Sequence, residues 1–181
     1  MLHAFLETRR DREDLLLILA PRHVQRTSEV AALLESAGLR HRRLSESGAT
    51  GVEETDVLLV DTVGDLASLY RVAWVAFVGG TLVPVGGHNL LEPAAVSVPV
   101  LFGPHTEHVS SPAAKLENAG AGRRVQDREA LADALRELFA DDALRRQMGS
   151  KAEQVLSSNR GALDRSVEIV RSTLARPGRP A

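Results

Sequence analysis

Residues Val75–Pro104 read VAFVGGTLVPVGGHNLLEPAAVSVPVLFGP, and this stretch decides the fold. The apolar run Val75–Val78 ends in Gly79-Gly80. A loop from Thr81 to His88 follows, with a second glycine pair at Gly86-Gly87. Asn89 then opens a short helical pattern, Leu90-Leu91-Glu92-Pro93-Ala94-Ala95, and a further apolar run covers Pro99–Phe102. Strand, glycine loop and helix start together make an anion site. Glycine lets the backbone approach a ligand closely, and the free N–H groups of a helix start favour negative charge. Asn89 suits the N-cap and Glu92 the third helical position of a capping box, so the same residues also read as the ordinary closure of a strand–helix turn. Pro93 is tolerated because it falls near the first turn. Two glycine pairs so close together, with His88, Asn89 and Glu92 beside them, favour a ligand site.

Outward from this stretch, apolar runs alternate with amphipathic helical patterns. Leu15–Ala20 and Val57–Val60 are continuous apolar runs, as expected of strands buried on both faces of a parallel sheet. Val24–Ala37 reads as a helix with Val30, Leu33 and Leu34 on one face, stopped by Gly38. Leu39–Leu44 alternates apolar and basic residues and reads as an edge strand, and Gly64–Val72 as a short helix. Beyond the central stretch, the pattern predicts helices over Ser111–Ala119, Asp127–Ala140, from Asp141 or Asp142 to Leu156, and over Arg160–Ala175, with a short strand at Gly122–Val125. The expected fold is therefore α/β: a three-layer, Rossmann-like domain with a parallel sheet. Residues 15–175 read as the folded domain and 176–181 as a disordered tail.

Composition narrows the function. Hydrophobic residues are 44% and charged residues 25%, typical of a soluble globular protein. A formal net charge of -2 supplies no electrostatic argument for nucleic acid. There is no cysteine, hence no disulfide framework and no thiolate metal site. No apolar run approaches the roughly 18 residues needed to span a bilayer, and the opening MLHAFLETRRDRED is charged, unlike a signal peptide. The histidines show no metal-ligand spacing, and there is neither a P-loop nor a nucleophile elbow. No metal, cofactor or catalytic residue is assigned.

In open parallel sheets, ligands sit beyond the carboxyl ends of the strands. That rule collects Pro21-Arg22-His23, Asp61–Asp65 and Gly79–Glu92, each just after a predicted strand, and places them along one crevice. Arg22 suits bidentate pairing with a phosphate or carboxylate, or is a solvated surface arginine. His23 either donates to an anion or faces water at a helix start. Asp61 is read as a helix-entry cap. Gly64 allows close backbone approach, and Asp65 accepts either from a ligand or from its own turn. Thr81, Gly86, Gly87 and His88 are secondary candidates. His88 equally suits a structural bond to its loop. Glu92 is the most pointed residue, because a carboxylate one turn into a helix suits a ribose diol.

Four segments carry a resemblance to a known family: APRH at Ala20–His23, DTVGDL at Asp61–Leu66 with Tyr70 following, FVGGTLVPVGGHNLLEPA at Phe77–Ala94, and VLFGPHT at Val100–Thr106. They resemble the 3-deoxy-D-manno-octulosonic acid (Kdo) transferases, GT-B glycosyltransferases of lipopolysaccharide synthesis. The match runs from Leu15 to about Val125, with a weaker echo at Asn159–Ala162. Its most specific part is the GGHN-x-x-EP segment. Four positions depart mildly from the family pattern: Val63, Asp65, Thr81 and Leu90 stand where Met, Glu, Ser and Pro are common. Glu107-His108-Val109 replaces the usual Asn-Phe after the His-Thr pair.

The resemblance covers only the carboxyl-terminal half of such an enzyme, the half that binds the CMP part of the donor CMP-Kdo, and implies that residues 15–175 are a Rossmann-like nucleotide-sugar donor-binding domain and residues 1–14 a lead-in or the end of an interdomain helix. It places nucleotide contacts on Pro21-Arg22, on Val63-Gly64-Asp65 and on Asn89-Leu90-Leu91-Glu92, the three places that the strand-end argument reaches. The implied reaction moves Kdo from CMP-Kdo to a lipid A precursor with inversion, at the cytoplasmic face of the bacterial inner membrane. The amino-terminal half, implied to carry the membrane anchor, acceptor site and catalytic carboxylate, is then a partner. The 181 residues alone are expected to bind without catalysing. Two alternatives remain open: the donor domain of another GT-B enzyme using a UDP-sugar, and a nucleotide-binding module without chemistry of its own.

Overall fold

Val57–Val60 is the apolar run whose continuity predicts burial on both faces. In the computed structural model of the chain all four of its residues are buried. The structure describes residues 1–47 and 54–157. These cluster into two compact units, each with its own sheet.

The first unit comprises Met1–Ala73 and Val125–Ala140. Its elements are α1 (Leu2–Arg9), β1 (Leu17–Leu19), α2 (Thr27–Ser36), β2 (His41–Arg43), α3 (Leu44–Ser47), β3 (Val57–Leu59), α4 (Leu66–Tyr70) and α7 (Arg128–Ala140). The sheet order is β1-β3-β2, all parallel, with Leu17 and His41 both opposite Val57. Central β3 is buried throughout, whereas Leu17–Leu19 are only half-buried. The difference from the expectation for Leu15–Ala20 has a simple cause: β1 lies at an edge of this sheet. Basic β2 is the other edge, where charge discourages further pairing.

The core of this unit joins Phe5 of α1 with Ala31 and Leu34 of α2, and with Leu39, Val57 and Leu59. Truncating a fully buried leucine such as Leu34 typically costs about 2–5 kcal/mol. The apolar face of α2 is the predicted one at Val30 and Leu34, but not at Leu33. Thr27, Ala31 and Leu34 are buried, while Leu33 is half exposed. Thr27, Val30, Ala31 and Leu34 recur at helical spacing on one face, and Leu33 lies about 100° round the helix from Leu34, towards solvent. Gly38 ends the segment with φ +70°, as expected of a helix stop.

Helix α1 packs along α7 and buries Ala4, Phe5 and Thr8. Arg136 of α7 reaches both Glu7 and Asp11. Arg9 donates to Asp56 at 2.6 Å, just before β3, and Arg40 binds the same carboxylate through its backbone N–H (2.8 Å) and guanidinium (3.0 Å).

The second unit comprises Trp74–Arg124 and the chain from Asp141 onward. Its elements are β4 (Ala76–Val78), α5 (Leu91–Ala94), β5 (Val100–Phe102), α6 (Ser110–Asn118), β6 (Gly122–Arg124) and α8 (142–157). The order is β4-β5-β6, again all parallel. Val78, Val100 and Phe102 pack with Leu90 and with Ala94 of α5, Ala113 and Leu116 of α6, and Ala152 of α8. Asp127 and Asp141 cap α7 and α8 by accepting the N–H of Ala130 (2.7 Å) and Leu144 (2.9 Å), each cap worth about 1 kcal/mol. The predicted helix at Arg160–Ala175 and the tail lie outside the described residues. In both units a parallel sheet is flanked by helices, the α/β class expected from the sequence.

Candidate functional site

In the first unit, Pro21-Arg22-His23 follow the carboxyl end of β1. Arg22 and His23 are exposed and Pro21 half-buried. With Leu19, Arg26 and Val30 they line a hollow of about 230 Å³. Arg26 is held bidentately by Glu29 (2.8 and 3.0 Å).

Val63-Gly64-Asp65 follow the carboxyl end of β3. Val63 is 90% exposed. Gly64 has φ +102°, a conformation costly for other residues. The Asp65 carbonyl accepts the N–H groups of Ser68 and Leu69 at the start of α4, while its carboxylate makes no cap bond. Asp61 is not the helix-entry cap that the sequence suggests. Its carboxylate accepts the backbone N–H (3.0 Å) and the hydroxyl (2.6 Å) of Ser45. Burial pushes its pKa up, but the Ser45 bonds outweigh that and hold it below the usual value.

In the second unit, the glycine loop hangs between β4 and α5. Thr81 is fully buried and donates its hydroxyl to the Val78 carbonyl at 2.6 Å. That bond holds the start of the loop. The Gly87 N–H donates to the Gly80 carbonyl (2.8 Å), closing the loop on itself. Gly86 has φ +94°, and a Cβ there would overlap the His108 imidazole. A Cβ on Gly103 would overlap the Thr81 carbonyl. Glycine is therefore required at both places by close approach. His88 is half-buried, with its ring against Gly80.

Asn89 and Glu92 are exposed. Helix α5 is only four residues long and its N-cap position is Leu90, not Asn89. Asn89 Oδ1 instead accepts the Leu91 N–H at 3.0 Å, and its amide donates to Glu92 Oε1 at 2.9 Å. The expected capping box is thus replaced by a side-chain pair. So short a helix has little dipole, and the Leu91 N–H is already engaged, so the anion argument weakens here. The Leu90 side chain is fully buried and Leu91 packs against the core, which leaves only their backbones available to a ligand.

One residue that the sequence reading did not single out also shapes this region. Arg124, at the end of β6, donates to the Gly103 and Pro104 carbonyls (3.3 and 3.1 Å) and to the Thr106 hydroxyl (3.2 Å). No spacing rule marks such contacts. Among the described residues no group of histidines and carboxylates is arranged to hold a metal ion, and no helix is long and apolar enough to cross a membrane.

No protein-family model matches the chain. A 3-deoxy-D-manno-octulosonic acid transferase of Bordetella pertussis is 37% identical over 159 residues, 88% of this chain and 37% of that protein. The enzyme of the same name from Aquifex aeolicus is 38% identical over 140 residues, 77% of this chain and 38% of that protein. The chain therefore spans less than two fifths of the length of these relatives. Among solved structures, the C-terminal CMP-Kdo binding domain of WaaA from Acinetobacter baumannii matches with a TM-score of 0.79 and 31% identity, covering 86% of this chain and 80% of that one. The C-terminal domain of a group 1 glycosyl transferase from Francisella tularensis matches with a TM-score of 0.57 at 14% identity, a likeness of fold alone.

Proposed function

Because the chain belongs to the Kdo transferase family, matching its carboxyl-terminal domain, we propose that it is the domain that binds CMP-Kdo in a GT-B glycosyltransferase. The observation that carries this reading is the Asn89–Glu92 pair within the GGHN-x-x-EP segment, in a chain 31% identical to a CMP-Kdo binding domain. An exposed carboxylate held in place by a neighbouring amide is pre-organised to accept two hydroxyl donors, as a ribose presents them.

Roles are assigned residue by residue. Glu92 takes the ribose hydroxyls. Arg22 takes the phosphate, supported by its exposure in the lining of that hollow. Pro21 contributes apolar surface beside it. The Val63-Gly64-Asp65 backbone meets the cytosine edge, where the open Gly64 conformation allows close approach. The whole enzyme transfers Kdo from CMP-Kdo to a lipid A precursor with inversion, at the cytoplasmic face of the inner membrane. It uses acceptor and catalytic groups from the portion of the relatives that this chain does not span.

Calorimetric titration of the 181-residue chain with CMP and with UMP tests the reading. CMP is expected to bind at least tenfold more tightly. Preference for UMP would point to a UDP-sugar enzyme, and binding of neither would overturn the proposal.

A further inference from the structure

We propose that Arg124 is a positioning residue for the nucleotide-binding loop. It fixes the Gly103–Thr106 turn on which Thr81 and the Gly86-Gly87 pair rest, and so sets how Asn89 and Glu92 meet a ligand. This rests on the reading of Asn89 and Glu92 as nucleotide contacts.

The connection is continuous and lies within the second unit. Arg124 is three-quarters buried and lies over the Phe102 ring, 5.1 Å from its centroid. Its Nε and Nη2 are taken by Glu117 (3.1–3.4 Å). Its Nη1 is left for the turn and meets three acceptors there: the Gly103 and Pro104 carbonyls and the Thr106 hydroxyl. On the far side of the turn, the His105 N–H donates to the Thr81 carbonyl at 2.9 Å, and the His108 N–H to the Gly86 carbonyl at 3.0 Å. Thr81 is itself locked to Val78, and Gly87 to Gly80. Asn89 begins two residues later.

The chemistry is particular to arginine. A planar guanidinium presents donors in several directions at once, so one side chain satisfies a carboxylate on α6 and acceptors on the turn. Lysine, a point charge, cannot hold both. The Glu117 carboxylate occupies only Nε and Nη2. The commitment of Nη1 to the turn is what links Arg124 to the loop.

The test compares the 181-residue chain with Arg124→Lys, Arg124→Gln and Thr106→Val, using CMP titration, thermal melts, and amide hydrogen exchange at His105, Gly87 and His108. Thr106→Val removes one acceptor without touching Arg124 or the core charge, so it remains informative if Arg124→Gln folds poorly. Arg124→Gln and Thr106→Val are expected to weaken CMP binding about five- to tenfold, with faster exchange at the three loop amides and unchanged exchange in Ala76–Val78. Arg124→Lys should fall between these and the parent. Lower melting temperature with unchanged CMP affinity and unchanged loop exchange would overturn the proposal. Failure of the parent chain to bind CMP would instead sink the nucleotide reading. In that case loop exchange alone decides: faster exchange supports the positioning role, and unchanged exchange ends it.

Discussion

The side-chain amide of Asn89 donates to Glu92 Oε1 at 2.9 Å, while the Asn89 carbonyl oxygen accepts the Leu91 N–H at 3.0 Å. Asn89 thus ties the first turn of α5 to the loop before it and holds an exposed carboxylate in one orientation. If that carboxylate serves ribose hydroxyls, Glu92→Ala removes charge-assisted bonds worth about 1.5–3 kcal/mol, roughly a ten- to hundredfold loss of CMP affinity. Glu92→Gln should cost less, because an amide oxygen still accepts. A purely capping Glu92 would lower the melting temperature and leave affinity alone. Titration beside ligand-free melts separates the two.

Gly86 and His108 form a second testable pair. With φ +94° and an imidazole where its Cβ would lie, Gly86→Ala meets both backbone strain and overlap. The strain is about 1–2 kcal/mol. His108 is exposed and its ring can be removed cheaply. In a His108→Ala background, Gly86→Ala should therefore cost only the strain, and less than in the parent. Denaturant melts of the four-member cycle measure this. Equal costs in both backgrounds would show that the ring yields freely.

Asp56 contributes to the acid limb of stability. The bond from Arg40, then its backbone N–H and the charge of Arg9, hold its carboxyl below the usual range, against an opposing effect of burial. A depressed folded-state pKa contributes stability that is fully present above the unfolded value of about 3.9. As pH falls below about 4, the unfolded chain takes up a proton first and stability declines, until the folded carboxyl also protonates. Asp56→Asn should lower stability at neutral pH by about 1–3 kcal/mol. That is less than for a fully buried pair, since Arg40 is largely exposed. It should also flatten the decline between pH 4 and lower values. Urea melts across that range check both halves, and an unchanged acid slope would remove Asp56 from the account.

Activity supplies the last prediction. The 181 residues are expected to bind CMP without transferring Kdo, since our reading places acceptor and catalytic groups in the portion of the relatives beyond this chain's match. Kdo transfer to a lipid A precursor by the isolated chain, followed by mass spectrometry, would refute this.

The sequence by itself determined the alternation of strands and helices, the parallel pairing and the helix stop at Gly38. These follow from local signals: continuous apolar runs, helical periodicity, and glycine where φ must be positive. It also singled out Glu92 and its neighbours, because chemistry-bearing residues crowd one strand–loop–helix segment. Tertiary structure alone decided where the carboxylates point. Asp61 turns to Ser45 rather than to the helix that follows it, and Asp56 gathers Arg9 and Arg40 from distant segments. It also set the buried face of α2, where Thr27 and Ala31 rather than Leu33 join Leu34, and gave Arg124 its three acceptors beyond β6. The reason is physical. Apolar burial leaves a period in the chain, whereas a hydrogen-bond partner is chosen by whichever group folding brings within about 3 Å.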